Sequence, residues 1–139
     1  MIMPNTIPYL QFNGNAREAL NFYGEAFGAT PTMVQTYGEM GDSRGDETLA
    51  NRLVHARLEK DGVELLYFSD SYVDEALVAG NMLSVAYMFD DEASLKSTYD
   101  VLKNGGQISI ELQEMPWGGV YAKVTDKLGI EWQLNWQKN

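Results

Sequence analysis

Trp117-Gly118-Gly119-Val120-Tyr121-Ala122-Lys123-Val124-Thr125-Asp126-Lys127-Leu128-Gly129-Ile130-Glu131-Trp132-Gln133-Leu134-Asn135-Trp136 is the stretch whose reading decides the fold of this chain. It spells a strand, a turn at Asp126 to Gly129, and a second strand. In that second strand Ile130, Trp132, Leu134 and Trp136 alternate with Glu131, Gln133 and Asn135. A period of two sends the apolar set to one sheet face and the polar set to the other. The same hairpin is written once before. Val54-His55-Ala56-Arg57-Leu58, a turn at Lys60-Asp61-Gly62, and Val63-Glu64-Leu65-Leu66-Tyr67 repeat its order, with Val54, Ala56, Leu58 and Gly62 matching Val120, Ala122, Val124 and Gly129. Two copies about half a chain apart make an internal duplication; a solenoid needs more and shorter repeats.

Working outward, each hairpin closes a longer unit. Ile7 to Phe12 reads as a strand ending at Asn13-Gly14. Asn15 then stands as a helix cap, with Glu18 three residues on to complete a capping box. Ala16, Ala19, Leu20, Tyr23, Ala26 and Phe27 share one helical face, and Gly28 is the stop. Pro31 to Tyr37 reads as a strand, Gly38 to Asn51 as a long loop of the kind that serves as a lid, and Arg52 to Ser69 as the first hairpin. Asp70 to Asn81 is a connector with a helical turn expected around Asp74 to Ala79. The second half repeats the plan. Leu83 to Phe89 is a strand, and Asp90 or Asp91 caps a helix bearing Leu95, Tyr99 and Leu102. Gln107 to Leu112 is a strand, Gln113 to Gly119 a loop, and the closing hairpin follows. Each half is strand, helix, three strands. Module one spans about 5–69 and module two about 82–137, expected to form one domain over 1–139.

Composition narrows the function. The chain has 139 residues, an apolar fraction of 45%, a charged fraction of 22% and a net charge of −10. Such a field repels nucleic acid and anionic membranes and mildly favours a cationic ligand. With no cysteine there is no disulfide, thiolate nucleophile or cysteine metal site. Neither a secretory leader nor a bilayer-length apolar run is read at this level, so the expected location is the cytoplasm, away from membranes.

Strand alternation locates the site. In module two, Tyr121, Lys123, Thr125, Glu131 and Gln133 fall on the polar face. In module one, His55, Arg57 and Glu59 fall there with Glu64, Leu66 and Phe68. These faces either line a hollow or are solvated sheet surface.

Pro8-Tyr9-Leu10-Gln11-Phe12-Asn13-Gly14-Asn15-Ala16-Arg17-Glu18-Ala19, then Phe22-Tyr23 and Phe27-Gly28, with the ending Asp126 to Asn135, resemble the PhnB-like branch of the vicinal oxygen chelate superfamily. That superfamily includes glyoxalase I, extradiol (dihydroxybiphenyl) dioxygenases and bleomycin-resistance proteins. The resemblance covers essentially the whole chain. It implies an α+β fold of duplicated βαβββ modules, a curved eight-stranded, cup-shaped mixed sheet with helices on the convex side, and a homodimer. It also implies a divalent metal held by His and Glu side chains in the first and last strands of each module. Carried across by register, those positions are Ile7 (or Pro8), Leu66, Ser84 and Gln133. None is a histidine or carboxylate, so the expectation is no metal and no other cofactor.

The residues expected to bind a ligand are Tyr9, His55, Arg57, Glu64, Phe68, Trp117, Tyr121, Glu131 and Gln133. His55, the only histidine, is either a general base or a histidine satisfied by its sheet neighbours. Glu64 and Glu131 are either paired pocket carboxylates or solvated strand residues. Trp117, between Pro116 and two glycines, is either a wall for a planar ligand or a plug in the core. Tyr9, Tyr67 and Tyr121 offer phenols or are ordinary strand tyrosines. No glycine-rich strand-to-helix turn is present to hold phosphate or S-adenosylmethionine. These residues point to a metal-independent protein binding a cationic or aromatic small molecule, drug sequestration being one version. The alternative is a lyase or isomerase using His55 or Glu64 as base beside Arg57. A third reading draws metal ligands from His55, Glu64 and Glu131.

Overall fold

A computed structural model describes residues 5–42 and 44–138. The chain divides into two compact units after Leu77. The first holds β1 (Tyr9–Phe12), α1 (Ala16–Phe27), β2 (Thr30–Thr36), α2 (Glu47–Asn51), β3 (Leu53–Lys60) and β4 (Val63–Asp70). The second holds β5 (Val85–Phe89), α3 (Glu92–Lys103), β6 (Gln107–Glu114), β7 (Gly119–Thr125) and β8 (Glu131–Gln137). The architecture is α+β, a βαβββ module written twice. The eight strands form two mixed sheets of four, ordered β1-β4-β3-β2 and β5-β8-β7-β6. In each, the first strand runs parallel to the last and the other pairs are antiparallel.

Each sheet buries one face under one helix. In the first unit Ala16, Ala19, Leu20, Tyr23, Ala26 and Phe27 of α1 are buried with Leu10, Phe12, Ala56, Leu58, Leu66 and Phe68 of the strands. The rings of Tyr23 and Phe12 lie 6.0 and 6.3 Å from that of Phe68. In the second unit Leu95, Tyr99 and Leu102 of α3 are buried, as are Val120, Ala122, Val124, Trp132 and Leu134. Ile130 and Trp136 of the alternating set are half-buried.

The hairpin β3–β4 turns on Asp61 and Gly62, with φ of 52° and 80°. Two central residues at positive φ match the right-handed twist of the strands they join, and Gly62 adopts that region without cost. The second hairpin is tied by a buried carboxylate instead. Asp126 accepts from the backbone of Leu128 and Ile130 at 2.8 and 3.2 Å, and from the Trp132 indole at 2.8 Å.

Four sequence expectations need correction. The expected side-chain cap on α1 does not form: Asn15 makes no such bond. The donors at that end go to Asp70 at the end of β4, whose Oδ1 accepts from the backbone of Gly14 and Ala16 at 2.8 and 2.9 Å. The 38–51 stretch is not wholly irregular, because Asp46 accepts from Thr48 and Leu49 and starts the short α2. The connector after β4 carries no helical turn at Asp74 to Ala79.

The fourth correction moves the site. Leu58 pairs with Leu66, but Glu59 pairs with Glu64, so Leu65 is an extra residue in β4. Such a bulge inverts the inside–outside phase of the strand. Leu66 and Phe68 are therefore buried against α1, 2% and 0% exposed, and do not share a face with Glu64. The residue that does share it is Tyr67.

Candidate functional site

The uncovered face of the first unit carries a connected polar cluster. β3 supplies His55 and Arg57, two residues apart and so on one face. β4 supplies Glu64 and, beyond the bulge, Tyr67. β1 pairs with β4 so that Tyr9 lies opposite Tyr67. The Arg57 Nε donates to His55 Nε2 at 3.1 Å, and its Nη1 meets the Glu64 carboxylate at 3.2 Å. The same Glu64 oxygen accepts from the Tyr67 phenol at 2.6 Å. On its other side, His55 Nδ1 is 2.9 Å from the Tyr9 phenol. The rings pack edge to face, Tyr67 against Tyr9 at 5.9 Å and against His55 at 5.1 Å, while the Arg57 guanidinium lies 4.9 Å from the centre of the Tyr67 ring.

Proton positions follow from the donors. Arg57 has no lone pair to offer, so His55 Nε2 accepts and the neutral ring carries its proton on Nδ1, facing the Tyr9 oxygen. Burial, reinforced by the Arg57 charge, pushes the His55 pKa below its ordinary value, and Glu64 only partly opposes this. The hydrogen bond to Glu64 raises the Tyr67 phenol. His55 is thus neutral near pH 7 with its basic nitrogen occupied. The Glu64 carboxylate is engaged by two donors.

In the second unit the open face is quieter. Tyr121 donates to the Gln133 amide oxygen at 2.9 Å, and that amide's nitrogen donates to the Ser84 hydroxyl at 2.7 Å. Lys123 and Glu131 pair at 3.7 Å. Trp117 is 59% exposed, which rules out the core plug, and its carbonyl accepts from Gln137.

The structure therefore brings Tyr9, His55, Arg57 and Glu64 together and adds Tyr67 to them. It gathers Tyr121, Gln133 and Ser84 in the second unit, with Glu131 paired to Lys123. Phe68, expected at the site, belongs to the core.

The register also permits a test for a divalent ion. Leu66, one of the carried-over metal positions, points into the core. On the open faces, the side chains near those positions are Tyr9 of β1, Tyr67 of β4, Gln133 of β8, and Ser84 just before β5. Phenols, a hydroxyl and an amide are weak, neutral donors, and zinc-like ions take imidazole and carboxylate. The nearby His55, Glu64 and Glu131 already serve Arg57 and Lys123. Among the described residues no three His, Cys, Asp or Glu side chains converge on a point. These residues do not fit the ion.

Comparison with known proteins gives a consistent picture. A family model described as the Glyoxalase/Bleomycin resistance protein/Dioxygenase superfamily matches residues 7–134. Protein YjdN of Escherichia coli K12 is 28% identical over 137 residues, covering 92% of each chain. The crystal structure of protein PA1353 from Pseudomonas aeruginosa is 26% identical, with a TM-score of 0.81 over 99% of this chain and 100% of that one. A PhnB protein from Bacillus cereus is 25% identical, with a TM-score of 0.77 over 96% and 99%.

Proposed function

Because the chain belongs to the Glyoxalase/Bleomycin resistance protein/Dioxygenase superfamily, we propose that it binds a planar, aromatic small molecule without a metal ion, against the open face of β1, β3 and β4. One observation carries the reading. Arg57 is fixed by His55 and Glu64 yet a third exposed, inside a frame of Tyr9, His55 and Tyr67 rings. A guanidinium already held in place loses little freedom when a ligand arrives. The rings supply flat apolar surface, and the phenols and Arg57 supply direction. The net charge of −10 makes a neutral or cationic ligand the better match. In the second unit Tyr121, Gln133, Glu131 and the exposed Trp117 offer a further polar and aromatic surface. The resemblance to PhnB-like proteins supports a cytoplasmic homodimer, which light scattering on purified protein tests.

The same geometry weighs against the lyase or isomerase alternative. A general base needs a free lone pair near its substrate, and His55 Nε2 already accepts from Arg57.

Thermal denaturation with a library of aromatic and cationic compounds is the direct test. A binder raises Tm in proportion to the logarithm of its concentration. Tyr9→Ala and Arg57→Gln should each weaken it by about tenfold, near 1.4 kcal/mol, and a chelator should leave the affinity unchanged. A library without a single stabilising compound overturns the reading.

A further inference from the structure

A recess lies in the first unit, built from α2 and the loops beside it instead of the sheet face. Its volume is about 420 Å³, and Arg44, Arg52, Asp46, Asp74, Leu49 and Tyr72 are among its lining residues. Two of the chain's four arginines thus line one cavity in a protein of net charge −10. Neither makes an ion pair among the described residues. Arg44 lies over the Tyr72 ring, 5.2 Å from its centre. Arg52 is held through one nitrogen, Nη1, which donates to the Asn13 side chain and to the carbonyl and hydroxyl of Ser71 at 3.0 to 3.1 Å. The two carboxylates are held just as partially. Asp46 Oδ1 accepts from the backbone of Thr48 and Leu49 to start α2, and Asp74 Oδ1 accepts from Asn13 at 2.7 Å. Among the described residues, neither receives a donor on its other oxygen.

We propose that this cavity binds a small zwitterion, a molecule with carboxylate and ammonium groups and a flat apolar body. Charge complementarity selects that class. A simple anion gains the arginines but meets Asp46, Asp74 and the acidic field of the whole chain. A simple cation gains the two acids and meets two guanidiniums. A zwitterion places its carboxylate on the planar donor forks, which suit two parallel hydrogen bonds, and its ammonium on the open aspartate oxygens. The buried Leu49 and the Tyr72 ring provide an apolar wall.

Calorimetric titration of the full chain with L-phenylalanine, 3-phenylpropanoate and 2-phenylethylamine tests this. These three probes share one ring and differ in which of the two charged groups they carry. The expected result is binding of L-phenylalanine, with each singly charged analogue weaker by about tenfold or more. Arg44→Gln and Asp74→Asn, both at exposed positions, should each lower the L-phenylalanine affinity by a similar factor while circular dichroism stays unchanged. Equal binding of either analogue, no heat from L-phenylalanine, or an affinity indifferent to both substitutions would overturn the proposal.

Discussion

The imidazole of His55 sits between a cation and a phenol, and that position fixes its response to acid. Its Nε2 accepts from Arg57, so adding a proton there breaks the bond and sets two positive charges side by side. The folded state therefore holds the neutral ring, with a pKa below the ordinary 6.5. The unfolded chain takes up the proton first as pH falls, so stability drops through the region below about 6.5 and levels off once the folded state also protonates. His55→Gln removes that term. Urea unfolding of both proteins at about pH 7.5 and pH 5 should show the wild type losing more than the variant. Parallel losses would mean that His55 titrates alike in both states, against the contacts described. The same imidazole marks a limit of sequence reading. Alternation along β3 places His55 beside Arg57, but nothing in the one-dimensional pattern shows the guanidinium occupying the ring's lone pair.

Among the elements, α1 is held by a residue far from it in sequence. Asp70 is 2% exposed; its Oδ1 accepts from Gly14 and Ala16 at the start of α1, and its Oδ2 accepts from Leu53 at the start of β3 at 2.9 Å. One carboxylate thus ties β4 to a helix and a neighbouring strand. Replacing it with asparagine turns one acceptor into an NH2 group facing an N–H donor. That leaves buried donors unmet and should cost about 1–3 kcal/mol in urea unfolding. Asn15→Ala should stay within about 0.5 kcal/mol, since Asn15 contributes no side-chain cap. Equal losses would return the cap to Asn15. The contrast explains what was legible. Strands, helices and their buried faces follow from short-range periodicity, and Asp91 capping α3 is a local signal that the structure repeats, with Ser94 N at 2.6 Å. The Asp70 anchor is long-range, and the extra Leu65 in β4 leaves no mark because Val63 to Phe68 is apolar on both faces but for Glu64. Missing that bulge sent Phe68 to the site and left Tyr67 outside the set of residues expected to bind a ligand. The short α2 starts on an Asp46 cap inside a glycine-bearing, polar stretch, where composition hides a helix of only five residues.

At the scale of the whole molecule the question is whether an acidic chain built on a fold associated with metals binds one. Twenty acidic side chains attract any divalent cation diffusely. That attraction is screened within about 8 Å at physiological ionic strength. A built site behaves differently, because it binds at stoichiometric concentration and stabilises only the folded state. An ion present at about 100 times its Kd adds about 2.7 kcal/mol, which is roughly 10–20 °C in Tm for a domain near 100 residues and about half that for a longer one. The open-face donors at the metal positions are phenols, a hydroxyl and an amide, while Glu64 and Glu131 are held by Arg57 and Lys123. Protein stripped with a chelator and titrated with stoichiometric zinc, nickel, manganese or iron(II) in physiological salt should therefore keep its Tm within a degree or so. Elemental analysis of protein prepared without chelator should find no ion near one per chain. A stoichiometric ion whose loss lowers Tm would mean that Arg57 and Lys123 release their carboxylates to it. The proposed binding face would then have to be rebuilt around that ion instead of around Arg57.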